Sequence, residues 1–560
     1  MRFDAGDIEW TEKVESDSRI LDALGIWRHH LSIQEEFTAG ITSSTERARY
    51  YTIWAYYYEY LYKNKIISSK DYEKLFILAS LAHHNGDHRS PELRSMFNNQ
   101  KFIGTWDEIY THDLNFDIRG YGQAFYNKQM EVFRCAWTDQ LGRVNISKLN
   151  SKLAKSLSFL NLENFKKAKF TKTELKELFS GFCICQIVEN SYEQNILSKL
   201  MFGFFSEKGG VWDIDEDEFD EFMKGKSEFI VKDNLNDSYQ FHEYNEFISI
   251  KQSNIRRRNS LLLFLRIIHE TRPFQNQMLR FIWDAVYFKQ NRENRSEIIF
   301  GSLEDTRVYW EFHQLNIYYV FLLEKLLEKL QDIVIENDGM KKTDLIEERN
   351  HKYIYLYLNS ILNIDITEKT SLDEIITSIK KINEPNEKSS LNSKFNESES
   401  FDKILSEDHL GVFFSECIMM ICLLYMRYFQ TSDRIRPRNE LGGNILGTDH
   451  VDIDLLFSYI KANKNDLKII PFLSNLCRII INRHLLISAQ RFAANTKNWI
   501  FVEENGYVFS AREPIRRVST RDTRWQSIKT LMKDLQFIDI DEESRLIVAE
   551  GGSKWLVGII

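Results

Sequence analysis

The sequence predicts a mainly α, multi-domain helical protein with a small winged-helix-like α+β module at its C-terminus. Three observations carry this. Only 23 Gly and 6 Pro occur among 560 residues, too few for the many tight reversals of an all-β fold. Apolar residues recur at three- and four-residue spacing over long stretches, the period of a helix that buries one face. Two hairpin signals stand close to the C-terminus, separated by one helical stretch.

Taken in order, the first strong element opens at Thr42-Ser43-Ser44-Thr45-Glu46. There Ser43 and Glu46 have the spacing of a capping box, in which each side chain satisfies the other's free backbone N–H. The helix that follows carries Tyr50, Ile53, Trp54, Tyr57 and Leu61 on one face. This aromatic stripe is expected to be core rather than a platform for stacking bases. Leu81–Arg89 reads as a loop dense in His and Asp, and helices separated by short polar loops are expected onward to about residue 240. Residues 256–290 look like two helices broken near Pro273 and opening with Arg256-Arg257-Arg258. A long amphipathic helix is expected over 306–334, with Leu315, Tyr318, Tyr319, Leu322, Leu326 and Leu330 on its apolar face, and 337–382 is charged and helical. The run 384–402, EPNEKSSLNSKFNESESFD, is too polar to bury itself and reads as a flexible linker or loop.

Helices resume at 404–430, 451–464 and 469–494. Trp499–Val502, a turn at Asn505-Gly506 and Tyr507–Phe509 then form a hairpin signal, the Asn-Gly pair supplying the positive φ angles. A helix over 521–536 and a second hairpin from Phe537–Ile540 and Arg545–Val548 complete the chain. Helix followed by hairpin is the order of a winged helix. The domains expected are 1–240, N-terminal helical; 241–383, central helical; 384–402, linker; 403–495, helical; and 496–560, winged-helix-like. No repeat of solenoid period is present.

Hydrophobic residues at 43% and charged residues at 28% suit a globular protein. A net charge of −9 confines any nucleic-acid contact to a local patch. The six cysteines are scattered. Cys183 and Cys185 form a C-x-C pair without a second pair at zinc spacing, so buried free thiols in a reducing cytosol are expected. The polar, acidic start is unlike a secretory signal. The longest apolar run, Val412–Tyr425, contains Ser415 and Glu416 and falls short of the roughly 20 residues of a membrane span. A cytoplasmic protein without membrane contact is expected.

Between Arg512 and Lys533 basic residues outnumber acidic ones, and Arg516, Arg517, Arg521, Arg524, Gln526, Lys529 and Lys533 are the candidate nucleic-acid contacts, placed on or near one helix from which they could reach DNA. Docking of a protein is the competing role for this segment. His83, His84, Asp87 and His88 are the best metal candidates, but they match no established ligand spacing; a polar surface loop is expected, and neither a metal nor a cofactor is assigned. The acidic run Asp213–Glu221 lacks the Gly and Glu of a calcium loop, having Glu218 and Lys224 at those positions; it reads as a solvated face or a dock for a basic partner. Leu441–Gly447 is rich in Gly but lacks the Lys-Ser/Thr of a phosphate loop, although Arg434, Arg436 and Arg438 beside it could meet phosphate. His313 and His484 are expected to be packing residues. No catalytic constellation is recognisable, so the expectation leans away from an enzyme.

Leu24-Gly25-Ile26, the stretch from Gly40 through Thr45-Glu46-Arg47-Ala48-Arg49-Tyr50-Tyr51, and Ile53-Trp54-Ala55 together resemble an uncharacterised bacterial family with a T-x-R-A-R-Y signature. Asn482-Arg483-His484 and the segment from Asn505-Gly506 to Phe537 are similar to the tail of the same proteins; the middle of the chain is unmatched. Genes of that family lie in anti-phage defence loci beside helicases and phospholipase-D-type nucleases. The resemblance implies a defence role as part of a multi-protein machine; the absence of a catalytic set, a large helical surface and the local basic patch add the expectation of a non-enzymatic subunit that docks ATPase, helicase or nuclease partners and touches DNA through its C-terminal module. A divergent metal-dependent nuclease built on His83, His84, Asp87 and His88, and a scaffold without nucleic-acid contact, are the alternatives. Arg47 and Arg49 could clamp a carboxylate or phosphate, or brace one helix to another.

Overall fold

The computed structural model describes residues 22–26, 34–42, 47–84, 111–113, 128–167, 169–183, 185–224, 250–383, 389–432, 453–492, 499–513 and 524–557. In chain order the N-terminal part holds helices α1 (Arg49–Tyr56) and α2 (Ser69–His83), strands β1 (Thr111–Asp113), β2 (Ala136–Thr138) and β3 (Val144–Ile146), then α3 (Lys148–Lys155), β4 (Lys169–Thr171), α4 (Lys172–Leu178), α5 (Tyr192–Met201), β5 (Phe205–Lys208), β6 (Val211–Ile214) and α6 (Glu216–Lys224). The long helices follow: α7 (Ile250–Thr271), α8 (Met278–Phe288), α9 (Glu304–Glu336), strand β7 (Met340–Lys341), α10 (Glu348–Leu362), α11 (Leu372–Ile382), α12 (Glu397–Ser406), α13 (Leu410–Ser432), α14 (Ile453–Asn463) and α15 (Ile469–Phe492). The C-terminal module comprises β8 (Phe501–Glu504), β9 (Tyr507–Ser510), α16 (Trp525–Asp534), β10 (Ile538–Ile540), β11 (Leu546–Val548) and α17 (Glu550–Leu556). The protein is thus mainly helical, with a small α+β module at the C-terminus.

Helix α9 is the mast of the molecule. Every residue from Thr306 to Leu323 is buried, because α7, α8, α12, α13 and α15 all pack against it. A helix enclosed on all sides must pair whatever charge it carries. Arg307 bonds Glu304 and Glu311 at 2.9 Å, while Arg427 of α13 reaches Glu311 at 3.0 Å and Glu397 of α12 at 2.9 Å. Helix α13 is apolar enough to cross a membrane by length and composition, but 78% of its apolar window is buried inside the protein, as expected for a core helix.

The aromatic stripe of α1 is core. Tyr50, Tyr51, Trp54 and Tyr57 are buried and meet Phe76, Phe133 and Tyr72 at ring-centroid distances of 5.0 to 5.8 Å. The capping-box residues Ser43 and Glu46 lie outside the described residues. At the helix start the carboxylate of Asp534 accepts from Ala48 N at 3.0 Å and from Arg47 Nε at 2.8 Å, so the C-terminal helix α16 supplies an acceptor for the N-terminus of α1. Arg49 pairs with Glu193 at 3.0 Å. Both signature arginines therefore brace helices.

Several expectations need correction. The Arg256–Arg258 run does not open its helix, which already begins at Ile250, and it is buried: Arg257 donates to Met201 O and Ala39 O, and Arg258 to Phe202 O and to Glu218, so the pair satisfies the carbonyls left over at the end of α5. Gly203, at φ +75°, follows there because a Cβ would meet the backbone of Asn254 at 2.9 Å. The region up to residue 240 is not helical throughout, since β2–β3 and β5–β6 form hairpins. The acidic run is in part the solvated face expected, with Glu216, Asp217, Asp220 and Glu221 exposed, but it is also tied into the body: Asp213 bonds Lys148 and Lys152, Asp215 bonds Lys208, Glu216 bonds Lys199 and Glu218 bonds Arg258. Most of the expected linker is ordered core. Leu391, Phe395 and Phe401 are buried, and Glu397 is fully buried against Arg427; only 384–388 lie outside the described residues.

The Asn505-Gly506 turn forms as expected, with φ of 51° and 82°, and β9 pairs on its other edge with β7. The apolar face of α16 is fixed to the body. Trp525 is buried 4.2 Å from the Trp310 ring and stacks on Phe264, and Trp555 of α17 stacks on Phe202 at 4.1 Å. One continuous hydrophobic cluster runs from Ala23 to Leu556.

Candidate functional site

Two places have the residue chemistry of a site. The first is the outer side of α16. Arg516, Arg517 and Arg521 lie outside the described residues. Helical spacing puts Gln526, Lys529, Thr530 and Lys533 on one face, opposite the buried Trp525, Ile528, Leu531 and Met532. Lys533 is exposed, and Arg524, Gln526 and Lys529 are half-buried. Trp525 anchors one end of this helix and the Asp534–Arg47 pair the other, so its orientation on the body is fixed from both ends.

The second place joins segments far apart in sequence. Helix α2 starts with Ser68 as its cap, accepting from Asp71 N at 3.1 Å, and runs to His83 and His84. The loop between α4 and α5 brings Cys183 and Cys185 to the same point. One ligand atom from each of these four residues lies within 4.8 Å of all the others. Cys183 Sγ is 3.2 Å from His84 Nε2, and Cys185 Sγ is 3.5 Å from Cys183 Sγ. The two imidazole rings meet edge to face at 4.8 Å, and the Gln186 amide nitrogen stands 3.2 Å from His83 Nδ1. Arg49 donates to the Cys183 carbonyl, which ties this loop to α1.

Cys183 is buried; His83 and Cys185 are exposed, and His84 is half-buried. A hydrogen bond from the Cys185 thiol, opposed by burial and helped by the His84 imidazole, draws the Cys183 thiol down to about 5. The same contact pushes the Cys185 thiol up. The pair thus favours a thiolate on Cys183 at neutral pH. A cleft of about 640 Å³, lined by Arg49, Lys155, Gln186, Tyr192 and Glu193 among others, opens beside the cluster.

His83 and His84, the first two of the four metal candidates in a segment expected to be a polar surface loop, thus stand at the end of α2 beside two thiols. Asp87 and His88 lie outside the described residues, and the neighbours that do converge are the two cysteines expected to be inert buried thiols. A ring pair at a helix end and a C-x-C pair were both visible, but 99 residues separate His84 from Cys183, and no local spacing reports such a meeting. His484 and His313 pack as expected: His484 bonds Ala23 O and Ile500 N, and His313 meets the Trp310 ring edge to face at 5.0 Å. Leu441–Gly447 and Arg434, Arg436 and Arg438 lie outside the described residues. No protein-family model, curated protein or solved structure matches this chain.

Proposed function

We propose that this chain is a non-enzymatic subunit of a bacterial anti-phage defence complex, whose helical body docks ATPase, helicase or nuclease partners and whose C-terminal module contacts DNA. The observation that carries the DNA contact is the sidedness of α16. Its apolar face is sealed into the core, and Gln526, Lys529 and Lys533 share the opposite face. A helix held at both ends presents such groups to phosphates with little conformational entropy left to lose. The two segments that resemble the defence-associated family also meet in space, through Arg47 and Asp534, which supports reading them as one functional unit. Outward apolar pairs at helical spacing, Tyr353 with Leu356 on α10 and Leu455 with Tyr459 on α14, are about half exposed and support docking of protein.

The test is duplex-DNA binding by anisotropy at two salt concentrations. Charge reversal at Lys529 and Lys533 should weaken binding at least about tenfold and lower the slope of log affinity against log salt by about 2. Equal affinity and slope for wild type and variant would remove DNA from the proposal and leave a protein scaffold. The nuclease alternative gains nothing from His83 and His84, because thiols gather around them, whereas magnesium-dependent hydrolysis relies on oxygen ligands.

A further inference from the structure

We propose that His83, His84, Cys183 and Cys185 form a structural zinc(II) site that clamps the end of α2 to the loop between α4 and α5. The residue types and their separations both point to it. Two imidazoles and two thiols are the N2S2 set that selects tetrahedral zinc over the oxygen-loving magnesium, calcium and manganese. With Zn–S near 2.3 Å and Zn–N near 2.05 Å, a tetrahedron separates two sulfurs by about 3.8 Å and sulfur from nitrogen by about 3.6 Å. The corresponding distances here are 3.5 Å and 3.2 Å. For these two pairs, seating an ion asks the atoms to move apart by about 0.3–0.4 Å, while the wider pairs, all within 4.8 Å, close by up to about 1 Å, within the reach of side-chain rotation.

The surroundings complete the site. A ligating imidazole binds through one nitrogen and gives the proton on the other to an acceptor, which fixes the ring. Gln186 offers one: its amide nitrogen faces His83 Nδ1, while its buried Oε1 has no hydrogen-bond partner. Turning the amide over lets Oε1 accept from Nδ1–H and leaves His83 Nε2 for the metal. Arg49 fixes the Cys183 backbone, and the exposed His83 and Cys185 leave an ion a way in from solvent. With four protein ligands no coordination position is left open for substrate, which makes the site a clamp rather than a catalyst. It closes a loop of 99 residues, long enough that cross-linking its ends removes considerable entropy from the unfolded chain. The proposal stands independently of DNA binding.

Metal analysis of the full chain, purified anaerobically with reductant and without chelator, tests it. Wild type should hold about one zinc per chain. Cys185→Ser and His83→Ala should each lower the retained zinc by about tenfold or more, and Gln186→Ala should weaken zinc affinity about 10–100-fold. Cys477→Ser, in the core of α15, should leave zinc unchanged. Should the ligand variants fail to fold, replacing zinc by cobalt(II) in wild type decides the matter, because tetrahedral thiolate ligation gives intense visible and charge-transfer bands. Any of three results would overturn the proposal: zinc in wild type no higher than in Cys185→Ser, a weak octahedral cobalt spectrum, or a Cys183–Cys185 disulfide in the anaerobic preparation.

Discussion

Arg427 sits between Glu311 and Glu397, and all three are almost wholly excluded from water. Taken out of solvent singly, any of these charges would cost several kcal/mol; together, with Arg307 on the far side of Glu311, they neutralise one another. Replacing Arg427 by Met should therefore be severe, because it strands the Glu397 carboxylate in the core and leaves Glu311 with Arg307 alone. We expect a loss of about 3–5 kcal/mol, seen as a lower denaturant midpoint for the transition reported by tryptophan fluorescence. Lys63→Ala removes an exposed i,i+4 partner of Glu59 and should cost no more than about 0.5 kcal/mol. Equal shifts for the two variants would contradict this account of the buried pairs. At this scale the sequence shows which residues are charged and hides what they meet. Arg49 and Glu193 are 144 residues apart and Arg47 and Asp534 are 487 apart, so a clamp for phosphate and a brace between helices look the same before folding. Cys183 and His84 belong to the same class of invisible meetings.

Whole elements were far more legible, because their signals are local. The break at Pro273, the extent of α9 and the Asn505-Gly506 hairpin follow directly from residue types and period, although α9 is enclosed on all sides over Thr306–Leu323 rather than on the one face its period marks. The failures have physical causes too. Lys208-Gly209-Gly210-Val211 carries a hairpin turn with both glycines at positive φ, where only helices and short polar loops were expected up to about residue 240. The 384–402 stretch looked unfoldable because its apolar residues are few; its polar ones, Asn396 capping α12 and Glu397 pairing with Arg427, are the ones that anchor it. Asp215 shows how the acidic run is used. Burial acts against its charge, yet the Ser206 hydroxyl, Lys208 and Glu218 N–H hold its carboxyl below the ordinary carboxylate value. It thereby fastens the β5–β6 hairpin to the start of α6. A group whose pKa is lower folded than unfolded favours the folded state when ionised. Its contribution is complete above the ordinary value near 4 and disappears as pH falls through the lower, folded one. Acidification should thus destabilise wild type more steeply than Asp215→Asn in that window. Parallel stability–pH curves for the two proteins would show that the carboxylate fastens nothing.

At the scale of the whole molecule the two ends of the chain are one structure. Arg483 and His484 hold the carbonyls of Leu24 and Ala23, Gln194 bonds Leu535 O, and Gln536 bonds Ile187 O. Composition and period located the C-terminal module, but they could not tell whether it would stand apart or share a core with the body. Its two tryptophans answer this. Trp525 lies against Trp310 and Phe264, and Trp555 is enclosed by Phe202, Phe204, Phe219 and Phe222. All of these partners belong to the body. Each buried tryptophan removes about 200 Å² from water, worth about 5 kcal/mol at 25 cal/mol per Å². Together they match the entire stability of a typical small domain, about 5–15 kcal/mol. Residues 496–560 expressed alone should therefore show neither amide dispersion nor a cooperative melt, and should gain structure only when mixed with 1–495. A sigmoidal thermal transition in the isolated fragment would mean that the module carries its own core. The face of α16 offered to DNA would then be positioned by the module itself, without the anchorage at Trp310 and Arg47.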